Sequence, residues 1–170
     1  MQYAVAMANG TLALEMGLKA LGVGSGDEVI VTARSFFATA SAIIIQGAKA
    51  VFADVDINTQ NITAETIAPL ITPRTKAIIA VHLAGLPCDM DPILKLASSH
   101  DIFVIEDCAQ AHGARYKGRP VGSMGHAASF SFCQDKIMTT GGEGGMLVTN
   151  EHHVWKQVWS LKDHGKNFDQ

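Results

Sequence analysis

Several protein classes are excluded by what this chain has little of. Its three cysteines, Cys88, Cys108 and Cys133, are odd in number and widely spaced, with no C-x-x-C pair. A disulfide framework is therefore not expected, and free thiols are. The seven histidines fall into no Cys/His spacing typical of zinc, so no metal is expected either. Thirteen Lys and Arg against sixteen Asp and Glu give a net charge of −3, without a basic run. Nothing there would track a phosphate backbone, and nucleic acid is not an expected partner. No apolar run is long enough to span a bilayer, and Met1-Gln2-Tyr3 lacks the basic start of a secretory leader. The expectation is a cytoplasmic protein with no membrane partner.

What the chain does have is apolar residues, 48% of the total, and sixteen glycines within 170 residues. That is enough for one good-sized core with many short turns, the mark of an α/β domain. Short β-branched runs alternate with helix-like stretches. Strands are predicted at 3–7, 29–32, 50–53, 76–83, 102–107, 128–132 and 145–149. Helices are predicted at 11–21, 36–46, 63–70, 92–99 and 151–162. At Thr63, the pattern with Thr66 reads as too short to complete a capping box. The strand runs are continuously apolar rather than alternating, which implies cover on both faces. The expected architecture is a three-layer αβα sandwich around a mainly parallel sheet of about seven strands. The final helix runs into "KDHGKNFDQ" without closing a domain, and the chain reads as clipped at both ends.

In open parallel sheets ligands gather at the carboxyl ends of strands. Asn9-Gly10-Thr11, Ser35-Phe36, His82, Asp107 and Ser131 all fall at such ends. Asn9-Gly10-Thr11 opens a helix, which is either an ordinary N-cap or a phosphate cradle built from backbone N–H groups. "GVGSGD" resembles a dinucleotide fingerprint but precedes a strand instead of a helix, so it reads as a turn. Asp107 closes "FVIED", where an apolar run delivers a carboxylate that needs a cationic or hydrogen-bonding partner. His82 and His112 fit structural roles better than catalytic ones. Lys136 follows "SFSFCQD" and precedes the glycine-rich "IMTTGGEGG". It is either a surface lysine or an amine poised to form a Schiff base with an aldehyde. A phosphate cradle, a carboxylate and such a lysine together meet the needs of pyridoxal 5′-phosphate (PLP), whose ring nitrogen a carboxylate keeps protonated.

Six stretches then carry a resemblance, in order and across nearly the whole chain: "NGTLAL", "GDEVIV", "SFFATA", "VHLAGLPCDM", "FVIEDCAQAHGA" and "SFSFCQDKIMTTGGEGGMLVTN". They are similar to the PLP-dependent nucleotide-sugar aminotransferases of the DegT/StrS type, proteins with the fold type I architecture of aspartate aminotransferase. The resemblance implies that Lys136 joins the cofactor through a Schiff base and that Asp107 pairs with its pyridine nitrogen. It places Gln110 near the phenolic oxygen, and Gly10, Thr11 and Ser131 around the phosphate. It puts Phe36 where an aromatic ring stacks on the cofactor. Glu143 in the glycine-rich loop is given a structural part.

The implied reaction is a ping-pong transfer of an amino group from an amino acid, most often glutamate, to a nucleotide-linked keto-sugar. Amino-sugar biosynthesis for cell-surface polysaccharide, such as the O-antigen of lipopolysaccharide, is the implied setting. Residues 1–170 correspond to a PLP-binding large domain without its N-terminal segment and C-terminal small domain. A homodimer is implied for the full-length protein, the partner subunit lending an asparagine to the phosphate from a region beyond Gln170. Two other readings stay open. In a sugar dehydratase on the same fold a histidine replaces the lysine, so Lys136 weighs against it. A truncated, inactive copy with a structural role is the other. "SFCQDKIMTTGGEGG" is not the lysine context of a cysteine desulfurase.

Overall fold

The computed structural model describes residues 1–167; Phe168–Gln170, the end of the "KDHGKNFDQ" stretch, lie outside the described residues. The first half alternates β1 (Tyr3–Met7), α1 (Gly10–Ala20), β2 (Glu28–Thr32), α2 (Phe37–Ile45), β3 (Lys49–Ala53), α3 (Ala64–Ile67) and β4 (Thr75–Val81). The second half adds α4 (Met90–Ser99), β5 (Phe103–Asp107), a small hairpin of β6 (Arg115–Tyr116) and β7 (Arg119–Pro120), then β8 (Ala127–Ser131), β9 (Gly145–Thr149) and α5 (His152–Lys162).

The described residues form one seven-stranded sheet in the order β1-β9-β8-β5-β4-β2-β3. Pairing is parallel from β8 through β5, β4 and β2 to β3. Only β9 runs against its neighbours, β1 and β8. Strand β4 shows how the sequence builds two cores. Ala77, Ile79 and Val81 face a cluster with Leu14 and Leu18 of α1, Ile43 of α2 and Val154 and Val158 of α5. Ile78 and Ala80 face the other, with Ile67 of α3 and Met90 and Ile93 of α4. Both faces are covered, as the unbroken apolar runs require, and the architecture is the expected αβα sandwich. Each fully buried aliphatic side chain contributes about 1.5–3 kcal/mol.

Three local readings are corrected. Thr63 and Thr66 do form a capping box: the Thr66 N–H donates to Thr63 Oγ1 at 3.3 Å, and the Thr63 N–H to Thr66 Oγ1 at 3.0 Å. A threonine hydroxyl can stand in for the longer acceptor because the helix closes tightly, passing into a 3₁₀ turn at Ala68–Leu70. The strand predicted to reach residue 83 ends at Val81, where His82 leaves the sheet with its N–H on the Asp107 carbonyl, 3.1 Å away. Helix α4 starts before Pro92, at Met90, since proline fits a first turn whose N–H groups have no helical acceptor. The β6–β7 hairpin had no counterpart in the sequence reading. It is tied to α4 by Lys117 and Arg119 on Asp91 and by the Tyr116 hydroxyl on Asp89.

Candidate active site

A cavity of about 440 Å³ opens at the carboxyl edge of the parallel strands. Its volume lies in the range of small-molecule sites. Each of the seven residues singled out in the sequence lines it: Gly10 and Thr11 from the first turn of α1, Phe36 from the entry to α2, Asp107 and Gln110 from the end of β5, and Ser131 and Lys136 from β8 and the loop beyond.

At one end the chain turns from β1 into α1. Asn9 is the N-cap, its Oδ1 accepting from the Leu12 N–H at 2.9 Å, so the capping reading of Asn9 holds. The first turn of α1 is still at the cavity wall, with the partial positive charge of a helix N-terminus. Gly10 is required there by contact: a Cβ on it would lie 2.8 Å from the Ser131 Cβ. The missing side chain lets the helix start press against β8, leaving backbone and hydroxyl groups facing the same hollow.

Asp107 is buried, and both its oxygens accept hydrogen bonds. Thr39 Oγ1 donates to Oδ2 at 2.9 Å, and the Ala109 N–H donates to Oδ1 at 3.1 Å. Among the described residues it has no ion-pair partner. Burial raises its pKa above the usual carboxylate range, and those two bonds only partly oppose the rise. A buried carboxylate of this kind is stabilised by a cation brought into the cavity.

Lys136 lies on the loop between β8 and β9. That loop is closed by the Phe132 N–H on the Gly144 carbonyl at 2.8 Å and the Thr140 N–H on the Phe132 carbonyl at 3.1 Å. The Lys136 side chain is 18% exposed; its Nζ stands 3.5 Å from Asp135 Oδ2 and 6.0 Å from the centre of the Phe36 ring. Asp135 is itself largely exposed, so this contact does not lock the amine. Gln110 Oε1 accepts from the Ala84 N–H at 2.9 Å, which leaves the Gln110 amide nitrogen available to a ligand.

Ser35, placed at a strand end by the sequence, also lines the cavity, while the sequence reading missed Thr39 and Cys133 and gave Glu143 only a structural part. Cys133 Sγ lies 3.1 Å from Gln134 Oε1 and 3.3 Å from Glu143 Oε1, the second contact spanning the two feet of the lysine loop.

Beneath the cavity lies a second polar knot. Glu106 is fully buried and takes donors from His82 Nε2 (2.9 Å) and from the N–H groups of Gly122 (2.8 Å), Met124 (2.7 Å) and Gly125 (2.7 Å). Burial pushes its pKa up, but the His82 and backbone bonds outweigh that and the net shift is down. His82 Nδ1 accepts from the Cys88 N–H at 3.1 Å, which puts the ring proton on Nε2. His82, Glu106 and Cys108 present ligand atoms within 4.8 Å of one another. His82 and Glu106 are already committed to each other and to backbone N–H groups, and burial drives the Cys108 thiol well above its usual pKa. The trio acts as a structural clamp. His112 stands apart from the cavity lining, between Phe130 and Phe132. Both its ring nitrogens are buried without a hydrogen-bond partner. Burial lowers its pKa, and the Ser131 backbone lies near enough to oppose this without making a well-formed bond.

The sequence profile of the DegT/DnrJ/EryC1/StrS aminotransferase family matches residues 1–170. The chain belongs to that family. GDP-perosamine synthase of Escherichia coli O157:H7 is 47% identical over 164 residues, covering 96% of this chain and 45% of that protein. The crystallised aminotransferase from Psychrobacter cryohalolentis is 61% identical, with a TM-score of 0.97, over 98% of this chain and 42% of its own. NtdA of Bacillus subtilis, solved with bound cofactor PMP, superposes with a TM-score of 0.93 at 32% identity, over 99% of this chain and 38% of its own. The chain thus spans less than half the length of these relatives.

The residues present fit the cofactor of this family. The hollow is large enough, its helix end suits a phosphate, the closeness of Gly10 to Ser131 shapes that end, and the uncompensated Asp107 suits a protonated ring nitrogen.

Proposed function

We propose that this chain is the PLP-binding large domain of an aminotransferase that moves an amino group from an amino acid, glutamate by family resemblance, to a keto-sugar carried on a nucleotide. One observation carries the reading. Lys136 and Asp107, twenty-nine positions apart, converge on one cavity whose far end is the start of a helix. In this proposal the first turn of α1 with Ser131 holds the phosphate, Phe36 stacks on the ring, Gln110 donates to the phenolic oxygen and Asp107 fixes the ring-nitrogen proton.

When bound, PLP supplies the electron sink that lets a proton leave the amine-bearing carbon. Lys136 Nζ, which lines the same hollow, would be placed to hold that proton and return it. The similarity to GDP-perosamine synthase supports a nucleotide-linked sugar as the acceptor. A role in cell-surface polysaccharide synthesis and a cytoplasmic location complete the proposal. Among the described residues no helix is long and apolar enough to cross a membrane. A homodimer is also proposed. Phe37, Ile44 and Ile45 on α2 are 78%, 59% and 64% exposed, and a second copy would cover them.

Borohydride reduction of the chain with added PLP tests the core of this reading. Mass spectrometry should find the reduced adduct on Lys136 and none in Lys136→Ala. An adduct spread over several surface lysines, unchanged by the substitution, would sink it.

A further inference from the structure

Thr39 lies in the first turns of α2 with 1% of its surface exposed, and its neighbours leave its hydroxyl one arrangement. Its single proton goes to Asp107 Oδ2 at 2.9 Å. Its oxygen lies 2.6 Å from Ser35 Oγ. Because the Thr39 proton is already committed, Ser35 is the donor in that contact. The three groups form a directed chain, Ser35 to Thr39 to Asp107, that ends on a negative charge and is polarised by it.

We propose that Thr39 is a positioning residue for the cofactor ring: with Ser35 behind it, it holds the Asp107 carboxylate ionised and aimed at the ring nitrogen. The inference rests on the PLP reading and adds to it Thr39, which neither the sequence nor the comparisons single out, and a part for Ser35, which the sequence marks only by its place at a strand end.

First, burial alone favours the protonated form of Asp107, in which it could not anchor a pyridinium. Two donors oppose this, and the Thr39 hydroxyl is the one that comes from a side chain. Second, the donors take different oxygens, Thr39 on Oδ2 and the Ala109 N–H on Oδ1, so the carboxylate plane cannot turn without losing one. Third, Ser35 directly precedes Phe36, and all four of these residues line the cavity. The same chain therefore ties the segment carrying the aromatic ring to the strand carrying the acid. A valine at position 39 would fill almost the same volume and supply none of this.

The test compares PLP with its 1-deaza analogue, in which carbon replaces the ring nitrogen, by titrating each into the apo chain. Thr39→Val should weaken PLP by about tenfold or more, the effect of losing a hydrogen bond to a charged group. The same variant should bind the deaza analogue within about twofold of wild type, since no ring-nitrogen charge is left to report on Asp107. Thr39→Ser should restore PLP binding. Ser35→Ala should give a smaller loss, again confined to PLP. Equal weakening of both ligands by Thr39→Val would mark a merely structural threonine and overturn the proposal, as would unchanged PLP binding. If Thr39→Val does not fold, Ser35→Ala decides by the same comparison. Failure of wild type to bind PLP would instead overturn the cofactor reading itself, and this inference with it.

Discussion

Gly10 and Ser131 meet at the closed end of the cavity with no room for one more carbon: a Cβ at position 10 would lie 2.8 Å from that of Ser131. Gly10→Ala must therefore push α1 off β8. An expected loss of about 1–3 kcal/mol, typical of overpacking, should appear in denaturant unfolding of the apo chain. PLP affinity should fall with it, because the helix start and the Ser131 hydroxyl no longer face the same point.

Asp107 should make stability depend on pH in opposite senses with and without the cofactor. Its pKa is raised by burial, so its contribution in the apo chain is fully present below the ordinary carboxylate value and is lost as pH rises through the folded one. The stability difference between wild type and Asp107→Asn should thus move against wild type on going from acid to neutral pH. With PLP bound it should move the other way, because the ring-nitrogen cation favours the ionised acid. Denaturant midpoints of both proteins, measured across pH with and without PLP, check both signs.

Glu28 should give the ordinary acid dependence. Its side chain is 3% exposed and accepts from Thr72 Oγ1 at 2.6 Å, Arg74 Nη2 at 2.9 Å and Lys49 Nζ at 3.3 Å. The Thr72 bond, then that of Arg74, holds its pKa at about 2 rather than 4.5. The stability it adds is present above the ordinary value and disappears as pH falls toward the lowered one. Glu28→Gln should therefore be clearly less stable than wild type at neutral pH, with the gap closing on acidification. A gap that stays constant with pH would show that the charge is not involved.

Glu106→Ala should be among the most damaging single changes in the chain. It strands the His82 ring N–H and the N–H groups of Gly122, Met124 and Gly125 in the interior. Each stranded donor costs about 1–3 kcal/mol, so a loss above about 4 kcal/mol is expected, or no folded protein. Glu106→Gln keeps one acceptor oxygen and should fall in between. Thermal unfolding of the three proteins gives the order directly.

The layered fold was legible because buried parallel strands write themselves as unbroken apolar runs, such as Ala77 to Val81. The direction of β9 was not, since Gly145 to Thr149 reads the same whichever way it lies in the sheet. The Thr63–Thr66 box was missed because the sequence rule expects a longer side chain at its second position. Gly10, Asp107, Ser131 and Lys136 could be gathered from their places at or beyond strand ends. The roles given to them came from resemblance. Thr39 left no trace: a threonine early in an apolar helix looks like filler until the fold brings Asp107, sixty-eight residues away in sequence, against its hydroxyl.

Because β9 runs against β8, the chain leaves the sheet at Ser131 and re-enters it at Gly145 on the same rim. A Cβ on Gly145 would sit 2.2 Å from the Asn9 carbonyl, so this second foot is wedged under the turn that begins α1. The arm bearing Lys136 and the floor it reaches over are thus cut from one continuous piece. Prising that hairpin open at its base would therefore disturb the hollow itself.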